Sequence, residues 1–374
     1  MNITFLIGNG FDVNLGLKTL YSDFYDTYID SNKNRTYHDP ISVFCNKLKK
    51  DRSVYEEYVK NTNAYVKKPD FIDEWKDFEW FFAKNADGDK EDISKIMADF
   101  NNKFTEYLRV QDALCDYNGK NIANSFQNFV ITPYRYLERK HMQEIQAFYD
   151  SKRVEDHTYQ FINFNYTNTV SKLVEKLKNI FPRSEIVSNR NCNNIFPKVL
   201  DIHGNIDGEY IIVGIDSLEQ FHNNNLKNNL KVARHCVKKV INEEFGYGDR
   251  ELQFASIINK SDIIYTYGLA FGATDASRWE ILRNWLKAGG HHKLVIFKYQ
   301  SGFNDIDGMS KGPLYDAIDD ARDEYLRILE FDENENFEDY YNRIYVLDSS
   351  KALNFKLVQK SEEKAPEELE PSLP

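Results

Sequence analysis

Apolar and polar positions along the chain follow two periods. Residues 3–7, Ile-Thr-Phe-Leu-Ile, are β-branched or apolar throughout, as a buried strand requires. Gly8 and Gly10 follow at once, and helical spacing then runs over roughly 11–29. From about 30 to 150 the spacing stays helical, near 40–60, 71–84, 90–115 and 119–150. Its aromatics include Phe78, Phe81, Phe100 and Phe104. Asp87-Gly88-Asp89 and Asp116-Tyr117-Asn118-Gly119 interrupt this block, and no strand is predicted in it. Strands return at 158–163, 185–188, 199–202, 210–215, 262–267, 293–297 and 343–347. Helices are predicted over about 168–180, 226–244, 250–259, 275–288 and 313–330. Asp207-Gly208 predicts a hairpin turn into 210–215.

Alternating strands and helices predict an α/β fold: a Rossmann-like, mostly parallel sheet with a large all-helical insertion after strand one. The expected division is a discontinuous nucleotide-binding core, 1–29 and 151–350, with the insertion at 30–150. Residues 361–374, rich in Glu and Pro, read as a disordered acidic tail.

Composition narrows the function classes. At 374 residues with 41% hydrophobic and 14% aromatic residues, the chain can bury more than one small core. A net charge of −11 gives no bulk attraction to nucleic-acid backbone. Cys45, Cys115, Cys192 and Cys236 form no C-x-x-C pair, which disfavours a structural zinc site and fits free thiols in a reducing cytoplasm. No run of 18 apolar residues predicts a membrane span, and the N-terminus lacks a basic n-region and reads as a strand. P-loop, H-E-x-x-H and G-x-S-x-G patterns are missing, so metal catalysis gains no support.

Candidate chemistry gathers after the predicted strands, where open α/β sheets bind ligands. Gly8-Asn9-Gly10-Phe11-Asp12 can bring backbone close to a phosphate, or can be a bare tight turn; Val13 stands where the dinucleotide fingerprint has its third glycine. In Phe164-Asn165-Tyr166-Thr167, Thr167 reads best as a helix cap, and Asn165 is harder to explain that way. His203-Gly204 after Asp201-Ile202 places a potential general base at a strand end, whereas His291-His292 read as solvated. Gly268 to Gly272 could hold a ribose or phosphate, with Asp275 as the next helix's cap. In Trp75-Lys76-Asp77-Phe78-Glu79-Trp80, Asp77 and Glu79 do not share a helix face, and spacing favours a solvated acidic side.

Taken in order, I-G-N-G-F-D…G-L-K-T, W-x-D-F-E, F-N-Y-T-x-T, I-H-G, V-G-I-D and Y-G-x-x-x-G-x-T-D resemble the AbiH-type bacteriophage abortive-infection family, over residues 3 to about 280. That family is distantly similar to sirtuins and to sirtuin-like NAD-cleaving domains of phage defence. The resemblance implies that Gly8, Asn9, Gly10, Phe11 and Asp12 form the glycine turn on the pyrophosphate. It implies that Asn165 positions the ribose and the attacking water, and that His203 is catalytic. Thr167, Gly204, Gly268, Gly272 and Asp275 would complete the nucleotide site, Gly268 and Gly272 on the adenosine half. Asp12 stands where sirtuins carry Ser, Tyr25 where they carry Arg, and Thr167 where an Asp follows the Asn by two. The zinc cysteines are missing too, which fits a defence-type domain better than a deacylase.

The function this implies is cleavage of the N-glycosidic bond of NAD, or of a related nucleotide, in phage defence, with no metal. The alternatives are a non-catalytic nucleotide sensor whose helical insertion meets a phage protein or defence partner, and a nuclease, which the charge disfavours. The expected location is the cytoplasm, without membrane or nucleic-acid contact. Self-association is left open.

Overall fold

The computed structural model describes residues 1–61, 78–118, 120–180, 184–187, 190–208, 210–246, 248–299, 312–331, 337–353 and 355–359. The expected acidic tail at 361–374 and Trp75-Lys76-Asp77 lie outside the described residues.

Among the described residues ten strands form in chain order: β1 (Asn2–Ile7), β2 (Cys115–Asp116), β3 (His157–Asn163), β4 (Ser184–Val187), β5 (Arg190–Ile195), β6 (Leu200–Asp201), β7 (Ile263–Tyr267), β8 (Lys293–Lys298), β9 (Ile344–Asp348) and β10 (Val358–Gln359). Eight of them make one open sheet in the order β4-β5-β3-β1-β7-β8-β9, with β6 beside the end of β3. Every pair in it is parallel except β4 with β5. The chain is therefore mixed α/β, built on a mostly parallel open sheet among many helices.

β1 sits at the middle because both of its faces are buried. Ile3, Phe5 and Ile7 pack into one layer, against Phe126, Phe129, Tyr149, Val170 and Leu173. Leu6 enters the opposite layer with Phe254, Trp279, Leu282 and Trp285. Thr4 is tolerated because its hydroxyl pairs with that of Ser261 at 2.7 Å. The strand order reverses at β1, with β3 on one side and β7 on the other, and such reversals open a crevice beyond the strands' C-terminal ends.

A second core stands at that end. It joins helices Tyr21–Ser31, Pro40–Asn61, Phe78–Asn85 and Lys90–Ala113 to apolar residues of the 206–237 segment, among them Ile211, Val213, Phe221 and Val237. Aromatic rings in tilted and edge-on contact dominate it. Phe78 lies on Phe100 with centroids 3.4 Å apart, and Phe24 touches Tyr28, Phe100 and Phe104.

Several elements differ from the sequence expectation. The helix predicted over 11–29 is two, Gly10–Asn14 and Tyr21–Ser31, because Gly16 turns left-handed at φ +93° and ends the first. The 30–150 block is not all-helical: Cys115–Asp116 pairs antiparallel with Val358–Gln359, a partner too distant in sequence for local periodicity to reveal. Helices Lys120–Ile131 and Arg139–Ser151 of that block lie in the sheet's own layer, through Phe126, Phe129, Ile145 and Tyr149. Residues 210–215 form no hairpin strand, only single bridges at Gly204–Ile211 and Ile215–Val237. Three short helices replace the one expected over 226–244. His291 is exposed as expected, while His292 is half-buried, stacked on Trp285 and bonded to its carbonyl at 2.7 Å. Among the described residues no helix is long and apolar enough to cross a membrane, and all four cysteines are free and buried.

Candidate functional site

Register brings the candidate loops level. Ile7 pairs with Asn163 on one side and Tyr267 on the other, and Asn163 pairs with Asp201. The residues just beyond four neighbouring strands therefore emerge at one edge. They are His203 after β6, Asn165 after β3, Gly8 after β1 and Gly268 after β7.

Here lies a cavity of about 370 Å³, at the lower end of the volumes typical of small-molecule sites. Gly8, Asn9, Gly10, Asn165, His203, Gly268, Gly272 and Asp275 line it. Its opposite wall comes from the helical core: Leu20, Tyr21, Glu79, Phe104 and Lys238. Phe11, Asp12, Thr167 and Gly204 are not in the lining. Phe11 is a core residue, edge-on to Phe126 and Tyr267.

The glycines have a structural cause. Gly8 N–H donates to the Tyr267 carbonyl and Gly10 N–H to the Gly268 carbonyl, both at 2.9 Å. A Cβ on Gly8 would stand 2.5 Å from the Gly268 oxygen, and one on Gly10 2.7 Å from the Gly268 Cα. Gly268 itself has φ +63°, and its Cβ would meet the Phe11 nitrogen at 2.4 Å. The two turns interlock. Phe11 N–H donates to the Gly8 carbonyl, so three of the amides expected to cradle a pyrophosphate already have partners. The Asn9 side chain is likewise spent on Thr19, accepting from its hydroxyl at 2.6 Å and donating to its carbonyl at 2.9 Å.

Behind the lining lies a buried charge network. Lys238, 2% exposed, places Nζ 2.8 Å from Glu79 Oε2 and 3.2 and 3.3 Å from the two Asp275 oxygens. Arg278 Nη1 bonds Asp275 Oδ1, and its Nη2 donates to Glu251 at 2.5 Å. Glu79 also accepts the Gly214 amide at 3.0 Å and the Tyr166 hydroxyl at 3.3 Å. Burial opposes ionisation of Asp275, but Lys238 and Arg278 hold its carboxyl far below the usual range. Burial likewise opposes the charge on Lys238, and Asp275 and Glu79 raise its affinity for the proton.

His203 is buried at the heart of this network. Desolvation pushes its pKa down despite Asp275, so the ring is neutral near pH 7. Nδ1–H donates to the Phe164 carbonyl at 3.3 Å, which leaves Nε2 to accept from Arg278 Nη1 at 3.1 Å, with Asp275 Oδ1 3.0 Å away. Both ring nitrogens are engaged, unlike the free general base expected from sequence.

Three further expectations are corrected. Asp275 occupies the N-cap position of the following helix but makes no side-chain cap bond, because its carboxylate is held by Lys238 and Arg278. Glu79 is not on a solvated face; it is 5% exposed and ion-paired. Thr167 does not spend its hydroxyl as a cap but donates it to Asp12 Oδ2 at 2.5 Å.

Asp12 is fully buried. Desolvation raises its carboxyl to about 7, against the lowering pull of Thr167, Thr169 and Asn165. Its Oδ1 has no hydrogen-bond partner, and neither does the amide oxygen or nitrogen of Asn165, 2% exposed on the cavity wall. Sequence reasoning missed Lys238, Arg278 and the role of Glu79. Glu79 and Gly214 did stand in two of the ordered motifs, W-x-D-F-E and V-G-I-D, and here they bond to each other.

A family model described as bacteriophage abortive infection AbiH matches residues 4–297. No curated protein matches the chain.

Proposed function

This chain belongs to the AbiH family of bacteriophage abortive-infection proteins, and we propose that its cavity binds NAD or a related nucleotide and hydrolyses the N-glycosidic bond. The observation that carries the reading is Asn165. A buried amide with neither polar atom paired is costly, and one on a cavity wall is explained by a ligand that supplies the missing bonds. The sirtuin-like resemblance assigns the Asn at this strand end to the ribose and its water.

In this reaction the bond from ribose C1′ to the base nitrogen breaks and its electron pair leaves with the base. A water oxygen bonds to C1′ and gives up a proton. Asn165 orients that water. Asp12 stands behind Asn165 and outside the cavity lining, so it takes the proton when the water passes Asn165 and reaches its unpaired Oδ1. The role moves from His203 to Asp12 because both His203 nitrogens are engaged. His203 then acts by accepting from Arg278, which holds Asp275, and the Asp275 carboxylate on the cavity wall favours an oxocarbenium-like transition state.

The test is release of free nicotinamide from NAD by purified protein, followed by liquid chromatography. Asn165→Ala and Asp12→Asn are expected to lower the rate by about 10²-fold or more. Equal turnover by wild type and both variants, or none by wild type, overturns the reading. A second reading, a nucleotide sensor without turnover, is favoured by the engaged amides of Gly8, Gly10 and Phe11. It predicts a ligand-dependent rise in thermal midpoint while the nucleotide stays intact.

A further inference from the structure

Asp12 has a second connection, one that avoids the cavity. Thr167 Oγ1 donates to Asp12 Oδ2 at 2.5 Å, and Thr169 Oγ1 lies 3.2 Å from Thr167 Oγ1. Tyr117 Oη lies 3.3 Å from Thr169 Oγ1, and either of these atoms can donate. Tyr117 also reaches Asp112 Oδ1 at 2.5 Å, and Lys172 Nζ pairs with Asp112 Oδ2 at 2.5 Å. Thr167 and Thr169 are 1% and 0% exposed and Tyr117 9%, while the Asp112 and Lys172 side chains are 11% and 37% exposed. The chain of groups thus runs from a fully buried carboxyl to the surface, and none of its members lines the cavity.

We propose that Thr167, Thr169 and Tyr117 form a proton relay between buried Asp12 and surface Asp112, so that Asp12 exchanges its proton with solvent through the back of the site. The balance is one proton, two carboxylates and three hydroxyls. With the Thr167 and Thr169 hydroxyls rotated away from Asp12, protonated Asp12 gives its proton to Thr167, Thr167 gives its own to Thr169, Thr169 to Tyr117 and Tyr117 to Asp112. Each hydroxyl loses one proton and gains one, and all three reverse direction. Asp12 ends as carboxylate and Asp112 as acid, which releases the proton to water. The return step resets the hydroxyls.

The surrounding groups fit this role. Asp112, from the end of the Lys90–Ala113 helix, raises the proton affinity of Asp12. Lys172, from the Thr169–Ile180 helix, stands 4.6 Å from the Tyr117 ring centre and steadies the Asp112 carboxylate when it is ionised. Cys115, the remaining titratable group here, is a bystander: burial first, then Asp112 and Asp12, push its thiol up to about 11. With Asp12 near 7, both of its protonation states are populated around neutrality, as a relay terminus requires.

The inference deepens the catalytic reading, since the relay would clear the proton that Asp12 takes from water, but its test needs no turnover. Infrared difference spectra of the full chain, wild type minus Asp12→Asn, isolate the Asp12 carboxylic-acid band below pH 7. Its rate of shift on mixing with D₂O reports proton exchange. Thr169→Val and Tyr117→Phe are expected to slow that shift about tenfold or more, because exchange must then wait on local opening. Thr169→Ser, which keeps the hydroxyl, restores the wild-type rate, a rescue that a packing role would not give. Unchanged exchange in Thr169→Val, or no Asp12 acid band in wild type, overturns the relay. Loss of nicotinamide release with exchange intact overturns only the catalytic reading.

Discussion

Lys238→Met makes a sharp test of the charge network. Met keeps the length and apolar stem of Lys and removes the ammonium. Lys238, Glu79 and Asp275 are 2%, 5% and 8% exposed, so water cannot take over the lost interactions. Asp275 retains Arg278, whereas Glu79 loses the partner 2.8 Å from Oε2. Removing one member of such a buried pair costs about 3–5 kcal/mol. The cause is the stranded carboxylate rather than lost packing, so Glu79→Gln in the Lys238→Met background should recover stability. Coupling between directly bonded residues is of the order of 0.5–3 kcal/mol. Urea unfolding followed by tryptophan fluorescence and by circular dichroism gives all four corners of the cycle. A single-variant cost below about 1 kcal/mol, or a double variant equal to the sum of the singles, would refute the reasoning.

Two other outcomes follow from burial and backbone geometry. Gly268→Ala places a side chain at φ +63° and 2.4 Å from the Phe11 nitrogen; the left-handed backbone alone costs about 1–2 kcal/mol, so a marked fall in thermal midpoint is expected. Gly290→Ala, where a Cβ meets open space, serves as the control and should leave the midpoint nearly unchanged. Asp12 holds its proton more tightly folded than unfolded, so its contribution is fully present below about pH 4 and is lost as pH rises toward 7. From 3.8 to about 7 this is about 4 kcal/mol. Asp12→Asn should flatten that part of the stability profile between pH 4 and 8, and a parallel profile in the variant would show that Asp12 does not titrate there.

The sheet was legible because its strands are buried on both faces and so read as apolar runs: 3–7, 262–267 and 293–297 all appear within a residue of their ends. Strand β5, Arg-Asn-Cys-Asn-Asn-Ile, carries no such run and was missed. Asn165, His203 and Gly268 could be placed near one another because each ends a strand that pairs with β1 or β3. The partners of His203 could not. Lys238 starts a helix in a stretch with no turn or motif signal, and Arg278 looks like any basic residue on a helix. The contact of Lys238 with Glu79 crosses 159 residues, a distance at which periodicity says nothing about charge pairing, whereas the i,i+3 spacing of Asp275 and Arg278 was a readable pair. The glycines were read correctly as sites of close approach, but toward another turn of the same chain.

That interlock has a dynamic consequence. Gly8, Gly10 and Gly268 hold two backbone turns at contact distance, tied by two interstrand hydrogen bonds, so this side of the cavity has no slack in which to move. On the helical side, Leu20, Tyr21 and Phe104 form the wall through their side chains. The molecule thus has a fixed floor, which these three side chains face from the helical side.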